Sequence, residues 1–261
     1  MIAKIRMVLA LGMVGLTTVV LVPIQYVGMK TGLFRPSRLP RLFHKVAVKA
    51  LGIKVRVEGE MAADRPLLLV ANHVSWSDIT VVGSVAEVSF VAKSDMANWP
   101  VIGMFAHLQR SVFVERDLKR KSGHQANELA GRLATREAMV LFAEGTTGDG
   151  NFVLPFKSTL FGAARNVIDG GAEMVLIQPV AITYTRLHGL PVGRRERGAV
   201  TWIGDTDLVP HLASILRHAA IDVTVRFGEP VEFRKGSDRK AVARLMESRV
   251  REMVIRDLRA P

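Results

Sequence analysis

A histidine and an aspartate five positions apart are the residues best suited to catalysis in this sequence. The apolar run 67–70 leads directly into a polar stretch that contains His73 and Asp78. Near pH 7 a neutral imidazole accepts a proton from an alcohol, and a carboxylate on its other ring nitrogen fixes the tautomer. Residues five apart on one helix lie about 140° round its axis, so these side chains meet only across a non-helical turn. Asn72 and Ser75 favour such a turn, and we predict that Asp78 orients His73 as a general base.

Three strand-like runs downstream bring further polar residues to their ends. The β-branched and aromatic run 110–116 ends in Arg116, and the run 140–143 leads into Glu144 and a glycine-rich turn. The third run, 174–182, is apolar and interrupted by proline. An unpaired buried carboxylate costs on the order of several kcal/mol, so we expect Glu144 to bond to backbone amides, a cation or the substrate.

In their order and spacing, these segments resemble the motifs of the glycerolipid acyltransferase family over residues 70–182. The matching blocks are His73 to Asp78, Phe113–Val114–Glu115–Arg116, Phe142–Ala143–Glu144–Gly145–Thr146 and Gln178–Pro179–Val180. The resemblance implies an enzyme that moves a fatty acyl chain from a carrier thioester to a lysolipid hydroxyl without a cofactor. It also implies that His73 and Asp78 are catalytic, and that the substrate is bound by Arg116, Glu144, Gly145 and Thr146.

The chain departs from the family pattern at one position of the glycine-rich turn. Members that handle phosphate usually have arginine after Glu-Gly-Thr, whereas this chain has Thr147, which cannot replace a bidentate guanidinium. The variant is similar to the bacterial branch that acylates lyso-ornithine lipid, whose head group is zwitterionic. Thr147 and Asp149 are therefore candidate head-group contacts, with Asp149 facing an ammonium. An acyltransferase for lysophosphatidic acid, with Arg116 and other cations binding the phosphate, is the alternative, and a non-catalytic membrane-binding protein is a more distant one.

The sequence favours direct transfer over a covalent acyl-enzyme. It has no cysteine and no Gly-x-Ser-x-Gly nucleophile motif.

Acyl carrier protein is strongly acidic and this chain has a formal net charge of +12, so we expect the carrier thioester ahead of a coenzyme A thioester as donor. Lys93, at the end of a predicted strand, is a candidate for steering an acidic carrier or substrate. No metal site is predicted, because no His-x3-His pair has a nearby acid, and no pattern of a nucleic-acid-binding motif accompanies the basic residues.

Residues 1–52 are predicted to bind the membrane. Ten lysines and arginines precede Glu58 with no acid among them, and anionic headgroups attract such a segment by about 1 kcal/mol per basic residue. An uncharged run, 7–22, continues past Pro23 to Met29, and a basic amphipathic helix is predicted over 37–51. A cleaved signal peptide, a single membrane crossing and an interfacial hairpin are all open, and positive charge on both flanks favours the hairpin. The helix over 37–51 has a second explanation, packing on the domain core.

From residue 53 onward, strand-like and helical runs alternate, which is typical of an α/β domain. We predict a single domain, 53–261, with a mixed, mostly parallel sheet flanked by helices and preceded by the membrane-binding segment. The predicted strands are 53–57, 66–70, 88–92, 111–115, 139–143, 174–182, 199–203 and 222–227. The predicted helices are 79–86, 99–108, 118–136, 158–169, 208–218 and 238–258. Resemblance to the bacterial branch places the protein at the cytoplasmic face of the inner membrane.

Overall fold

The computed structural model describes residues 2–114, 131–133, 137–203 and 206–259, and within them nine strands form one sheet. The strands are β1 Ile53–Glu58, β2 Leu67–Ala71, β3 Ser89–Lys93, β4 Val112–Val114, β5 Ala138–Phe142, β6 Met174–Leu187, β7 Leu190–Pro191, β8 Ile221–Phe227 and β9 Val231–Arg234. Their order is β1-β8-β6-β2-β5-β3-β4, with β7 and β9 also paired to β6. β2, β3, β4 and β5 run parallel to one another and to β6, whereas β8 and β9 lie antiparallel to β6.

Helices cover both faces of this sheet. They are α1 Ile2–Thr31, α2 Arg38–Ala50, α3 Ser77–Val85, α4 Ile102–Leu108, α5 Gly162–Asp169, α6 Leu208–His218 and α7 Arg239–Arg259. Short 3₁₀ helices lie at Ser94–Asn98, Ser158–Phe161 and Glu196–Ala199. The prediction of an α/β fold with a mixed, mostly parallel sheet and an apolar N-terminal helix is confirmed.

The central strand β2 is buried on both faces because its side chains alternate between two cores. Leu67 and Leu69 join the cluster under α2 and α3, whereas Leu68 and Val70 join the cluster under α5 and α7. All five residues of β2 are buried, which explains its continuous apolar sequence. The carboxyl ends of β2 and β5 therefore come side by side at one edge of the sheet, where the polar residues that follow them meet.

The first helix, α1, is a single apolar helix that continues through Pro23 and lies against the domain. Near its start, Arg6 donates hydrogen bonds to the carbonyls of Leu216 and Arg217 at the end of α6, at 2.6 and 2.7 Å. Near its end, Gln25 Nε2 donates to the carbonyl of Leu108 in α4, at 2.8 Å. The side chains between these contacts that point away from the domain are apolar and exposed.

The predicted amphipathic helix forms as α2, and its buried face packs on the domain. His44, Ala47 and Val48 are buried, and the Arg41 guanidinium donates to the last carbonyls of α3. Its remaining basic side chains point to solvent. Packing on the core therefore explains the apolar face of α2. The division of the chain at residue 52 stays a prediction.

The described structure differs from the sequence predictions at one predicted strand and at two strands that were missed. The predicted strand 199–203 is wrong, because a 3₁₀ helix ends at Ala199 and residues 200–203 form no strand. The amide of Trp202 there donates to the carbonyl of Val74, at 2.8 Å. The sequence analysis missed the two-residue β7 and also β9, a four-residue edge strand that alternates apolar and charged residues. The predicted helix 118–136 lies outside the described residues except for 131–133.

Candidate active site

The turn between β2 and α3 brings His73 and Asp78 together. Residues 72–76 are not helical, and α3 begins at Ser77, which places Asp78 in its first turn. His73 Nδ1 lies 2.8 Å from Asp78 Oδ2. The carboxylate is fully buried, whereas 15% of the His73 side chain is exposed. One end of the pair is thus held inside the protein while the imidazole reaches the surface.

Asp78 accepts hydrogen bonds on both of its oxygens. Oδ2 accepts from His73 and from the amides of Val74 and Ser75, at 2.7 and 2.9 Å, and Oδ1 accepts from the Tyr184 hydroxyl at 2.8 Å. These bonds and the amino end of α3 compensate the buried charge. Because the amides of Val74 and Ser75 bond to Asp78, an oxyanion formed in the reaction needs other donors.

The neighbours of the His73 ring define which nitrogen faces outward. Nδ1 donates to the carboxylate, so the neutral ring presents Nε2 as a proton acceptor. The ring stacks on Phe142 with 4.0 Å between ring centroids and 16° between the planes. This packing against a strand residue restrains the imidazole in the orientation that a general base requires.

Glu144 joins the glycine-rich turn, 145–150, to the turn between β2 and α3. It follows β5 and is buried, and its Oε1 accepts from the His73 amide at 3.3 Å. A second hydrogen bond joins the same two turns, because the amide of Gly148 donates to the His73 carbonyl at 2.8 Å. Burial raises the pKa of Glu144 to about 8, so the carboxyl group is mostly protonated at neutral pH. It bonds to a backbone amide, one of the three partners that the sequence analysis expected.

The other predicted residues of the glycine-rich turn are half-buried or exposed. Gly145 has a φ of 73°, which an L side chain rarely adopts, and this explains glycine at the sharp turn after Glu144. Thr146 is exposed and Thr147 is half-buried. Asp149 is exposed and accepts from the amide and the side chain of Asn151, at 2.9 and 3.0 Å, which lowers the pKa of its carboxyl group.

A cation that the sequence analysis did not single out reaches the same turn. Arg197, in the 3₁₀ helix after β7, donates from Nη1 to the carbonyl of Gly150 at 3.1 Å and to Asn151 Oδ1 at 3.0 Å. Asn151 therefore bonds to both Asp149 and Arg197. In the sequence, Arg197 belongs to a charged surface loop 46 positions away from Asn151, and only the cluster of arginines at 194–197 singles it out.

The two remaining predicted site residues are Lys93 and Arg116, which belong to or follow the neighbouring strands β3 and β4. Lys93 ends β3, and its ammonium pairs with the carboxylate of Asp95 at the exposed surface. Arg116 lies outside the described residues, two positions past the last residue of β4. Among the residues that the structure describes, no group of three or more histidines and acids is placed to hold a metal ion.

Comparison with known proteins gives the family. A family model described as Acyltransferase matches residues 53–183, from β1 into β6. The chain belongs to the acyltransferase family. The matched region contains His73, Asp78 and Glu144, and it covers both the turn between β2 and α3 and the glycine-rich turn.

Relatives of known name extend this likeness to nearly the whole chain. The lyso-ornithine lipid O-acyltransferase of Brucella abortus is 52% identical over 97% of this chain and 96% of its own length. The protein of that name from Rhizobium meliloti is 49% identical over 99% of this chain and 89% of its own. The 1-acyl-sn-glycerol-3-phosphate acyltransferase of Neisseria gonorrhoeae is 31% identical over 82% of this chain and 79% of its own.

A solved structure shares the fold of this acyltransferase. The 1-acyl-sn-glycerophosphate acyltransferase PlsC of Thermotoga maritima superposes with a TM-score of 0.66 at 24% identity, over 99% of this chain and 98% of its own. The predicted family resemblance is confirmed. The protein is an acyltransferase enzyme, which contradicts the alternative of a non-catalytic membrane-binding protein.

Proposed function

We propose that this acyltransferase moves a fatty acyl chain from an acyl thioester to the hydroxyl of lyso-ornithine lipid, forming ornithine lipid. The observation that carries the proposal is the identity of 52% and 49% to two proteins of that activity over nearly the full chain. Thr147, in place of the arginine usual in phosphate-handling members, supports the same acceptor. Lysophosphatidic acid is the second candidate, supported by the more distant Neisseria relative and by Arg197 at the glycine-rich turn.

In the proposed mechanism, His73 is the general base of a direct transfer. Nε2 takes the proton of the acceptor hydroxyl as its oxygen attacks the thioester carbonyl, and Asp78 stabilises the imidazolium that forms. The tetrahedral intermediate then collapses, the carbon–sulfur bond breaks, and the imidazolium returns the proton to the leaving thiolate. The ester forms and the free thiol leaves, so His73 ends the cycle neutral.

The zwitterionic head group is proposed to lie over the glycine-rich turn. Thr147 brings no charge there, and the exposed carboxylate of Asp149 suits the ammonium of the ornithine group. Glu144, protonated at neutral pH, braces the turn against His73 instead of contacting a cation. Substrate contacts by Arg116, Gly145 and Thr146 rest on the family resemblance, and steering by Lys93 rests on charge.

We propose that α1 anchors the enzyme in the plane of the membrane surface. By length and composition, 4–31 is apolar enough to cross a membrane. However, the domain contacts α1 at Arg6 and again at Gln25, which at 1.5 Å per residue are about 28 Å apart. A helix held at both ends along one domain lies beside it, so its exposed apolar side faces lipid. We place the enzyme at the cytoplasmic face of the bacterial inner membrane, with acyl carrier protein ahead of coenzyme A as donor.

The acceptor is tested by competition. Purified full-length protein in detergent receives an acyl carrier protein thioester together with equal amounts of lyso-ornithine lipid and lysophosphatidic acid, and the two products are separated and counted. We expect ornithine lipid to be the main product. Phosphatidic acid as the main product would reject the proposed acceptor and leave the acyltransferase activity intact. Repeating the assay with a coenzyme A thioester separates the two donors.

Restoring the family arginine is expected to change the acceptor ratio. In Thr147→Arg, a bidentate guanidinium–phosphate pair becomes available, so the product ratio should move roughly 10-fold toward phosphatidic acid. Thr206→Arg, at an exposed position outside the turn, adds the same charge and should leave the ratio unchanged. An unchanged ratio in Thr147→Arg would place position 147 away from the head group.

A further inference from the structure

The carboxylate of Asp78 is held from the side opposite to His73 by a tyrosine on another strand. Tyr184 lies on β6, one residue beyond the region that the family model matches, and its side chain is buried. Its hydroxyl oxygen lies 2.8 Å from Asp78 Oδ1 and 2.6 Å from Ser77 Oγ. Position 184 is separated from Asp78 by 106 residues of sequence.

The direction of the hydrogen bond to Asp78 follows from the groups involved. An ionised carboxylate only accepts, so the single hydroxyl hydrogen of Tyr184 goes to Asp78. Burial raises the pKa of Tyr184 well above its usual value, and the nearby charge of Asp78 raises it further. The phenol therefore keeps its hydrogen, and remains a donor, at neutral pH.

A second contact fixes the distance between β6, the strand of Tyr184, and the proposed catalytic turn, which is the turn 72–76 between β2 and α3. The Asn72 side chain donates from Nδ2 to the carbonyl of Ile182 at 3.0 Å and accepts from the amide of Ile182 at 2.8 Å. Asn72 precedes His73 directly, and Ile182 is two residues before Tyr184. The paired amide bonds thus clamp β6 to the turn, and the phenol oxygen is held at Asp78.

We propose that Tyr184 is a positioning residue, which locks the Asp78 carboxylate in the rotation that presents Oδ2 to His73 Nδ1. Three donors converge on Oδ2, whereas Tyr184 is the donor that the described structure places on Oδ1. Without the phenol hydroxyl, Oδ1 is a buried acceptor that has lost this partner, and the carboxylate gains by turning toward other donors. Tyr184 touches no reacting atom and acts through Asp78 and then His73.

The test is Tyr184→Phe in the full-length protein, because this change removes the hydroxyl and keeps the ring. We expect kcat to fall roughly 10-fold, since a displaced Asp78 carboxylate stabilises the His73 imidazolium less well in the transition state, while KM for the lysolipid stays within about twofold. The chain offers a matched control at the next position of β6, Thr185, whose hydroxyl donates to the carbonyl of Asp222 at 3.3 Å. Thr185→Val removes a hydroxyl from the same strand and should leave kcat, KM and the pH profile unchanged.

The pH profile gives a readout that loss of stability alone would not move. A carboxylate that has turned away from Nδ1 stabilises the imidazolium of His73 less, so the acid limb of log kcat should shift to lower pH by roughly half a unit. The titratable side chains around Asp78 in the described structure are His73, Tyr184 and Glu144. Glu144 keeps its surroundings in Tyr184→Phe, which leaves His73 as the group whose titration moves.

A double-mutant cycle separates positioning from general damage to the fold. This inference rests on the proposed role of His73, so Tyr184→Phe is also introduced into His73→Ala. We expect no further loss of the residual rate there, because the tyrosine acts only through the imidazole. An equal loss in both backgrounds, or a wild-type kcat and pH profile in Tyr184→Phe, would overturn the inference. If His73→Ala itself kept the normal rate, the proposed mechanism would fall as well.

Discussion

Replacing His73 with alanine is expected to lower turnover at least ~100-fold, because loss of a general base typically costs about 10²–10⁴ in rate. The His73 ring is 15% exposed and packs on one face against Phe142, so its removal leaves the core clusters in place. The measurement is initial-rate acyl transfer at saturating donor and acceptor, together with the thermal unfolding midpoint of each protein. We expect the midpoint to change little.

The control for this prediction is His107→Ala. His107 is exposed at the end of α4, away from the catalytic turn, and its removal should leave the rate at the wild-type value. A His73→Ala enzyme that worked at near-normal rate would reject direct base catalysis by His73. A His73→Ala enzyme that was inactive and also unfolded would be compared at a lower temperature, where both proteins are folded.

Replacing two exposed leucines of α1 with glutamate is expected to release the enzyme from membranes. Leu9 and Leu16 are seven residues apart on one face of the helix and are 67% and 69% exposed. Transfer of each leucine from water to an apolar environment contributes roughly 1.5–3 kcal/mol, so Leu9→Glu with Leu16→Glu should lower partitioning into vesicles at least ~100-fold. The measurement is co-sedimentation with vesicles that contain anionic lipid.

Point substitutions test the anchor better than removal of residues 1–52. Ala10, Val48 and Leu51 are buried against the domain, and their removal would expose its core. The matched control is Leu245→Glu with Ile255→Glu, which adds the same charge at exposed apolar positions of α7. Equal sedimentation of the wild type and the α1 variant would reject α1 as the anchor. Equal release by both variants would assign the effect to net charge.

The sequence was sufficient to predict the parts of the structure that depend on nearby residues. His73 and Asp78 are five positions apart, so a single turn decides whether they meet, and the polar residues between them favour that turn. The apolar run of β2 predicted a strand, and the spacing of apolar residues in 37–51 predicted α2. Periodicity alone left open whether α2 packs on the domain or on lipid.

The contacts that the sequence could not predict join residues far apart in the chain. Tyr184 meets Asp78, and Arg197 meets Asn151, because of strand order and connection path, which no local pattern encodes. The error at 199–203 has the same cause. A β-branched and aromatic run favours a strand, but the amide of Trp202 donates to the carbonyl of Val74 and not to a neighbouring strand. In each case a tertiary contact decided the outcome.

The position of α1 has a consequence for how the product is distributed across the bilayer. With both ends of α1 bound to the domain, the proposed anchor and the catalytic turn share one side of the membrane. On this proposal, the acceptor arrives by lateral diffusion within the adjacent leaflet, and each newly acylated lipid is released into that same leaflet. Synthesis alone would then enrich one leaflet in this lipid, and any that reached the opposite leaflet would have to cross the bilayer in a separate step.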